Sequence, residues 1–261
     1  MLTRLQHLIE SLAMYISLSL LGAICLLWCA IALPLLVILP RRAGTVCGQA
    51  GIMVSFRLYV VSLRLMGAYR LDVSALQELR SGPPVVLAPN HPSLIDALLI
   101  VAHLPNVACV MKSELMRNPF LSTGARLARY IRNDPPRHMI HQAVAQLREG
   151  SIVLLFPEGT RTTQVPISPL SSSVGIIAKH AAAPVQTLII EQNSAFLSKG
   201  WSLFTRPALP IRYRIRLGQR FDPPTDVRAF TAELEAYFHH ELRDAAQNRW
   251  IEARCGVKSS G

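Results

Sequence analysis

Apolar residues are spread very unevenly along this chain. From Ser11 to Pro40 there is no Asp, Glu, Lys or Arg. As a helix, that uncharged run of about 30 residues would be roughly 45 Å long. The hydrocarbon core of a bilayer is about 30 Å thick, so the run is long enough to cross it, with tilt or a kink at Pro34. Arg41 and Arg42 close the run, whereas Arg4 alone among Lys and Arg precedes it. The positive-inside rule then puts the C-terminal side in the cytoplasm. A second helical pattern over 48–69 carries Ile52, Met53, Phe56, Tyr59, Val60, Leu63 and Met66, with Arg57 and Arg64 on its polar side. It reads as an interfacial helix or the second arm of a membrane-dipping hairpin. Two other readings of this region are a cleaved signal peptide, for which Ala30-Ile31-Ala32 mimics a cleavage site, and a buried core helix.

From Leu71 onward the period changes to short apolar runs alternating with helical stretches. Strands are predicted at 85–88, 107–111, 151–156 and 184–190. A half-buried strand at 211–217 alternates Ile, Arg, Tyr, Arg, Ile, Arg, Leu. Helices are predicted at 96–104, at 137–149 ending on Gly150, at 174–182, and from Thr225, as cap, to about Arg254. This alternation predicts an α/β fold: a single mixed, largely parallel sheet flanked by helices, preceded by an N-terminal membrane-embedded helical segment.

Composition narrows the picture further. Of the 261 residues 51% are hydrophobic and only 16% charged, below the roughly 25% charged of an ordinary domain. That balance excludes a disordered chain. Five cysteines, two of them inside the apolar run, argue against a disulfide scaffold. A net charge of +11 points to nucleic acid or to an anionic membrane. No nucleic-acid module or aromatic platform accompanies the charge, so the membrane is favoured. Arg117, Arg126, Arg129, Arg132 and Arg137 form either a solvated basic face or a surface for anionic lipid heads or an acidic carrier protein. Arg212, Arg214 and Arg216 read as a solvated sheet face or a membrane-facing patch. His138 and His141, three apart, lack the further ligands that a metal site needs. No phosphate-binding glycine loop, serine-hydrolase elbow or zinc-protease helix occurs.

Three polar stretches follow predicted strands. In Asn90-His91-Pro92-Ser93-Leu94-Ile95-Asp96, Pro92 fits the first position of a helix and leaves His91 outside helical geometry. A five-residue gap in a straight helix would point the two side chains apart, but a non-helical His91 can curl back to Asp96. That pairs a base with an orienting carboxylate, the logic of the His–Asp half of a hydrolase triad. Taken alone, a capping residue and a surface aspartate explain the same spacing. Lys112-Ser113-Glu114-Leu115 follows the second strand, and Phe156-Pro157-Glu158-Gly159-Thr160-Arg161 the third. Gly159 permits a tight turn, and Arg161 offers a planar fork suited to phosphate. Parallel neighbours would bring these strand ends to one edge of the sheet, where ligands bind.

Together with Ala183-Pro184-Val185, these blocks resemble the glycerolipid acyltransferase family, typified by 1-acylglycerol-3-phosphate acyltransferase and its His-x4-Asp motif. The match covers roughly residues 50–250. The resemblance implies that His91 is the general base and that Asp96 holds its imidazole. It implies a hydroxyl that attacks the thioester of acyl-CoA or acyl-carrier protein directly, with no metal and no bound cofactor. Phosphate contacts would fall on Lys112 and Arg161. Glu158 and Gly159 would shape the acceptor loop, with Glu114 and Thr160 in the same substrate-binding blocks. Asn90 and Ser93 would support the first motif, and Pro184 would border the site.

The resemblance thus implies a membrane-bound O-acyltransferase of phospholipid biosynthesis, converting lysophosphatidic acid to phosphatidic acid. It would act at a bacterial-type inner membrane with its active domain on the cytoplasmic face. Residues 1–70 would be the anchor and interfacial helices, 71–255 the acyltransferase domain and 256–261 a flexible tail. The sequence departs from the family pattern at Leu94 (often aromatic), at 169–175 (no Lys), at Gln186-Thr187 and at the shifted Gly124. These departures keep open a specialised acceptor from a glycolipid, ornithine-type or polyene-type lipid pathway. A catalytically silent protein that binds acyl chains or a carrier protein is a further alternative.

Overall fold

The computed structural model describes residues 2–202, 205, 207 and 209–255; the expected tail at 256–261 lies outside them. The apolar N-terminal run forms one helix, α1 (Leu2–Ile38), with Pro34 inside it. After Leu39 and Pro40 the chain turns into α2 (Arg41–Leu65). The helix therefore starts seven residues before the predicted Gly48. Residues 41–51 are too rich in small side chains to show an apolar stripe, yet their smallness is what packs them. A Cβ on Gly48 would lie 2.3 Å from the backbone nitrogen of Ala128, and one on Gly51 would lie 1.9 Å from the Trp28 ring. The two helices form an antiparallel hairpin docked on the rest of the chain: Met14, Ile24, Ile52, Tyr59, Val60 and Leu63 all belong to the buried core.

Among the described residues seven strands make one sheet: β1 (Tyr69–Asp72), β2 (Val86–Pro89), β3 (Val107–Met111), β4 (Ile131–Arg132), β5 (Ile152–Leu154), β6 (Val185–Gln192) and β7 (Ile211–Phe221). Their spatial order is β1-β7-β6-β2-β5-β3-β4. All neighbours are parallel except β6 and β7, which run antiparallel. The expected mixed, largely parallel sheet is what forms. Strand-to-strand alternation separates the apolar residues into two layers. Leu87, Leu154 and Leu188 face the side carrying the hairpin and α3 (Asp96–Val101). Val86, Val153 and Val185 face the side carrying α5 (Pro136–Arg148), α6 (Ser173–Ala181) and α7 (Val227–Cys255). Between β3 and β4 lies the short helix α4 (Ser122–Leu127), which contacts both arms of the hairpin.

Three local expectations change. Strands β1 and β4 carry no period of their own in the sequence; β1 opens at Tyr69, two residues before the expected domain start. The helix after β2 begins at Asp96, as the predicted 96–104 has it, but Pro92 is not its first position, since a turn at 94–95 stands between them. The cap of α7 is Asp226, whose Oδ1 accepts from the backbone nitrogens of Arg228 at 2.8 Å and Ala229 at 3.2 Å. Thr225, the expected cap, stands one residue too early.

The Gly48 contact generates a prediction with an unambiguous sign. Helix propensity alone would make Gly48→Ala stabilising by about 1 kcal/mol. The clash with the Ala128 backbone should instead make it destabilising by about 1–3 kcal/mol, as overpacking does. Thermal unfolding of the full chain in neutral detergent checks this; a raised midpoint would rule the clash out.

Candidate active site

The carboxyl ends of β2, β5, β3 and β6 meet at one edge of the sheet. Because β7 runs the other way, its beginning reaches the same edge, with Tyr213 level with Gln192. His91 leaves β2 in extended backbone, and Pro92 keeps it out of the helix that follows. Its Nδ1 lies 2.8 Å from Oδ2 of Asp96. The curled-back His91 expected from the spacing is thus present, and a turn of chain rather than a helix supplies the reversal. Ser93-x-x-Asp96 has the spacing of a capping box, and one half of that box forms: the Ser93 backbone nitrogen donates to Asp96 Oδ2 at 2.8 Å. The Ser93 hydroxyl is used elsewhere, donating to the Phe196 carbonyl at 2.9 Å.

Asp96 has no exposed surface. The Tyr213 hydroxyl donates to its other oxygen, Oδ1. Burial pushes the Asp96 carboxyl above the usual range, outweighing the opposing effects of His91, Tyr213 and Ser93. Burial, with the Asp96 charge beside it, also pushes the Tyr213 hydroxyl well up, which keeps its proton on as a donor. With Ser93 N–H and Tyr213 O–H both donating to the carboxylate, the imidazole is left to donate through Nδ1. Its Nε2 then carries the lone pair. The ring is stacked on Phe156, with centroids 3.8 Å apart and planes 21° from parallel. Its side chain is 14% exposed, and with Nδ1 engaged by Asp96 the nitrogen left for a ligand is Nε2.

Of the other expected site residues, several are gathered here. Glu158 Oε1 accepts from the His91 backbone nitrogen at 2.9 Å and from the Thr162 hydroxyl at 2.8 Å, while Oε2 accepts from Ser168 N at 2.9 Å. It thereby holds the loop after β5 against the first motif. Gly159 turns with φ 66°, a left-handed conformation that suits glycine. Thr160, beside it, is partly exposed. Asn90 is clamped to β6 both ways, donating to the Ile190 carbonyl at 3.0 Å and accepting from Ile190 N at 2.7 Å. Arg161 uses Nη1 to hold the carbonyls of Leu197 and Ser198, each at 2.9 Å. Part of its fork is therefore structural, and only the remainder is available to a phosphate.

Lys112 and Glu114 follow β3 at the same edge and are exposed. Two strand spacings separate β3 from β2, so they stand about 10 Å to the side of the His–Asp pair. Pro184 is not brought to this edge. It precedes β6, where its carbonyl accepts from Val86 N at 3.0 Å, at the opposite end of β2 from His91. Its place beside the site is a misreading of strand direction: Ala183-Pro184-Val185 begins a strand, whereas the other blocks end one.

Tyr213, Phe156 and the carbonyls of 196–198 were not anticipated. Tyr213 looks in sequence like any inward residue of an alternating strand; only the antiparallel pairing of β7 brings it to Asp96. Phe156 stands directly before Pro157-Glu158, and that adjacency is the one local signal for it. Among the described residues no group of three or more His, Cys, Asp or Glu gathers as a metal site.

A histidine held by a buried carboxylate at the carboxyl edge of an α/β sheet is an arrangement suited to general-base chemistry. Residues 70–191, within the α/β domain, match the family model described as Acyltransferase. Relatives include 1-acyl-sn-glycerol-3-phosphate acyltransferase of Pseudomonas aeruginosa, 26% identical over 54% of this chain and 57% of its own length. The chain thus spans little more than half of that relative. Lyso-ornithine lipid O-acyltransferase of Rhizobium meliloti is 33% identical over 34% of this chain and 32% of its own. The crystal structure of the 1-acyl-sn-glycerophosphate acyltransferase PlsC from Thermotoga maritima superposes with a TM-score of 0.70 over 93% of this chain and 97% of that one. At 16% identity that likeness is one of fold.

The raised Asp96 carboxyl has a consequence for stability. A carboxyl that holds its proton more tightly when folded contributes stability in full below its ordinary value of 3.8. That contribution is lost as pH rises through the higher folded value. Asp96→Asn should therefore flatten the pH dependence of unfolding as pH rises above the ordinary carboxyl value of 3.8. It should also be no less stable than the parent at neutral pH. Denaturant unfolding followed by tryptophan fluorescence checks this; parallel curves for the two proteins would show that Asp96 has no such shift.

Proposed function

We propose that the chain is a membrane-bound O-acyltransferase that moves an acyl chain from acyl-CoA or acyl-carrier protein to lysophosphatidic acid. The observation that carries the reading is the His91 Nδ1 to Asp96 Oδ2 hydrogen bond of 2.8 Å, which fixes the tautomer and leaves Nε2 as a base. Nε2 takes the proton of the acceptor hydroxyl as its oxygen attacks the thioester carbon. The tetrahedral intermediate collapses with cleavage of the C–S bond, and the departing thiolate takes the proton back from the imidazolium. The ester bond forms and the thioester bond breaks, so one base serves both steps. Asp96 acts through His91, stabilising the imidazolium while it lasts, and Tyr213 and Ser93 keep Asp96 in place.

The Lys112 ammonium and the free part of the Arg161 fork are assigned to the acceptor phosphate, and the loop of Glu158, Gly159 and Thr160 to its boundary. Names of relatives support this acceptor, and the lyso-ornithine enzyme among them keeps a non-phosphate acceptor as the second reading. For the membrane, both hairpin arms are long and apolar enough to cross. They expose Leu12, Leu27, Leu33 and Val37 on α1 and Val54, Leu58 and Leu65 on α2. Because α1 is also docked on α2 and α4, with the Cys29 thiol donating to the Phe120 carbonyl at 3.3 Å, a hairpin half-sunk in one leaflet fits better than a free spanning helix. The cytoplasmic leaflet of an inner membrane is the proposed location.

Two results test the proposal. His91→Ala should lower acyl transfer by about 100- to 10,000-fold while membrane attachment and folding persist. Near-normal turnover would refute the assignment. In a panel of lysolipid acceptors assayed with both donors, Lys112→Ala should raise the KM for phosphate-bearing acceptors with little change in kcat. Transfer only to acceptors without phosphate would overturn the lysophosphatidic acid reading in favour of the second one.

A further inference from the structure

The opposite edge of the sheet, where β2, β3 and β5 begin, holds a cleft of about 640 Å³. Its lining includes four arginines from three elements: Arg41 and Arg42 in the first turn of α2, Arg129 just after α4, and Arg148 at the end of α5. One acidic residue, Glu149, lies among them. Arg148 donates to the His180 carbonyl at 3.1 Å. Among the described residues none of Arg41, Arg42 and Arg129 is paired with a carboxylate. Two cations also stand where a helix of 25 residues already presents its positive end. Its cap, Pro40, offers no side-chain acceptor. Like charges are gathered here against the helix dipole, and Arg129 is held at φ 55°, a backbone conformation arginine rarely adopts. Arg41, Arg42 and Arg148 are exposed and Arg129 half-buried, yet all four line the same cleft.

We propose that this cleft is a second, non-catalytic anion site that takes a phosphate ester, the headgroup phosphate of a membrane lipid. Guanidinium forks and backbone N–H groups at a helix start are both suited to phosphate oxygens. The lipid source follows from the rim: Val46 lines the cleft, and Val37 and Ile38 at the hairpin turn are 84% and 73% exposed. A phosphate in the cleft would thus have apolar side chains beside it for acyl chains. Strand length puts the cleft about 20 Å from His91, so it is separate from the acceptor site and does not rest on the acyl-transfer reading.

The test uses the full chain and the double variant Arg41→Gln/Arg129→Gln. The control is Arg220→Gln/Arg228→Gln, which removes the same charge from exposed positions elsewhere. Binding to phosphatidylcholine vesicles, with and without phosphatidylglycerol, is measured alongside the thermal shift caused by inorganic phosphate in detergent. The parent should prefer the phosphatidylglycerol vesicles, and the cleft variant should lose that preference by about tenfold or more. The control should keep it. A shift with inorganic phosphate that the cleft variant loses, without any vesicle preference in the parent, would sustain the anion site but overturn the lipid as its ligand. Equal losses in the control, or none in the cleft variant by either measurement, would overturn the site itself. The unfolding midpoint without phosphate and acyl transfer on micellar substrate should match the parent in both variants; a cleft variant that loses both is replaced by Arg41→Lys/Arg129→Lys, which should retain vesicle binding if the site exists.

Discussion

Asp96 is wholly buried, and a carboxylate taken out of water is tolerated only where hydrogen bonds replace its hydration. Its three donors come from two distant stretches of chain: the His91 ring and the Ser93 backbone from the first motif, and the Tyr213 hydroxyl from β7. Satisfying them together requires β2 to end where it does, the chain to turn back between Ser93 and Asp96, and β7 to lie two places away in fixed register. Loss of any one leaves a buried oxygen short of a partner, at a cost of about 1–3 kcal/mol or more. The geometry that orients the base is therefore the same geometry that makes the core tolerable.

The reversal between β6 and β7 has a comparable reach. An all-parallel sheet would bring only strand ends to the catalytic edge, and Tyr213 would lie at the far end of its strand. Running antiparallel, β7 brings its first residues to Asp96, and the segment before it passes over the first motif. There Phe196 and Leu197 offer their carbonyls to Ser93 and Leu94, and Arg161 pins the same segment from the loop after β5. Asn90 closes the set by joining β2 to β6. These contacts bind three loops into one wall, so a change in the 193–201 segment is felt at His91 without touching it.

What could be read in advance follows from the range of the interactions. The His91–Asp96 pair was legible because a proline, a turn and a five-residue interval are local facts, strand 107–111 because a strand buried on both faces is a continuous apolar run, and strand 211–217 because one-sided burial imposes a period of two. The early start of α2 was hidden because Gly44, Gly48 and Gly51 have no apolar side chains; their value lies in what approaches them. Tyr213 was hidden because its partner is 117 residues away and the pairing depends on strand direction. Pro184 failed for the same reason, since a motif's place along the chain does not say which end of its strand it occupies.

The hairpin relates the two edges of the sheet. At about 1.5 Å per residue, α2 is roughly 37 Å long. It starts beside the arginine cleft, and its far end leads into Ala68, whose carbonyl accepts from Ile211 N two residues before Tyr213. The helix therefore runs the full depth of the domain, from the edge where strands begin to the edge that carries His91. If α2 lies in the membrane surface, as its exposed apolar face favours, both edges meet the same bilayer. A phosphate held at one end would then fix the tilt of the domain and so the height of His91 above the lipid. A hairpin crossing the bilayer on its long axis could not do this, because it would carry the two edges to different depths.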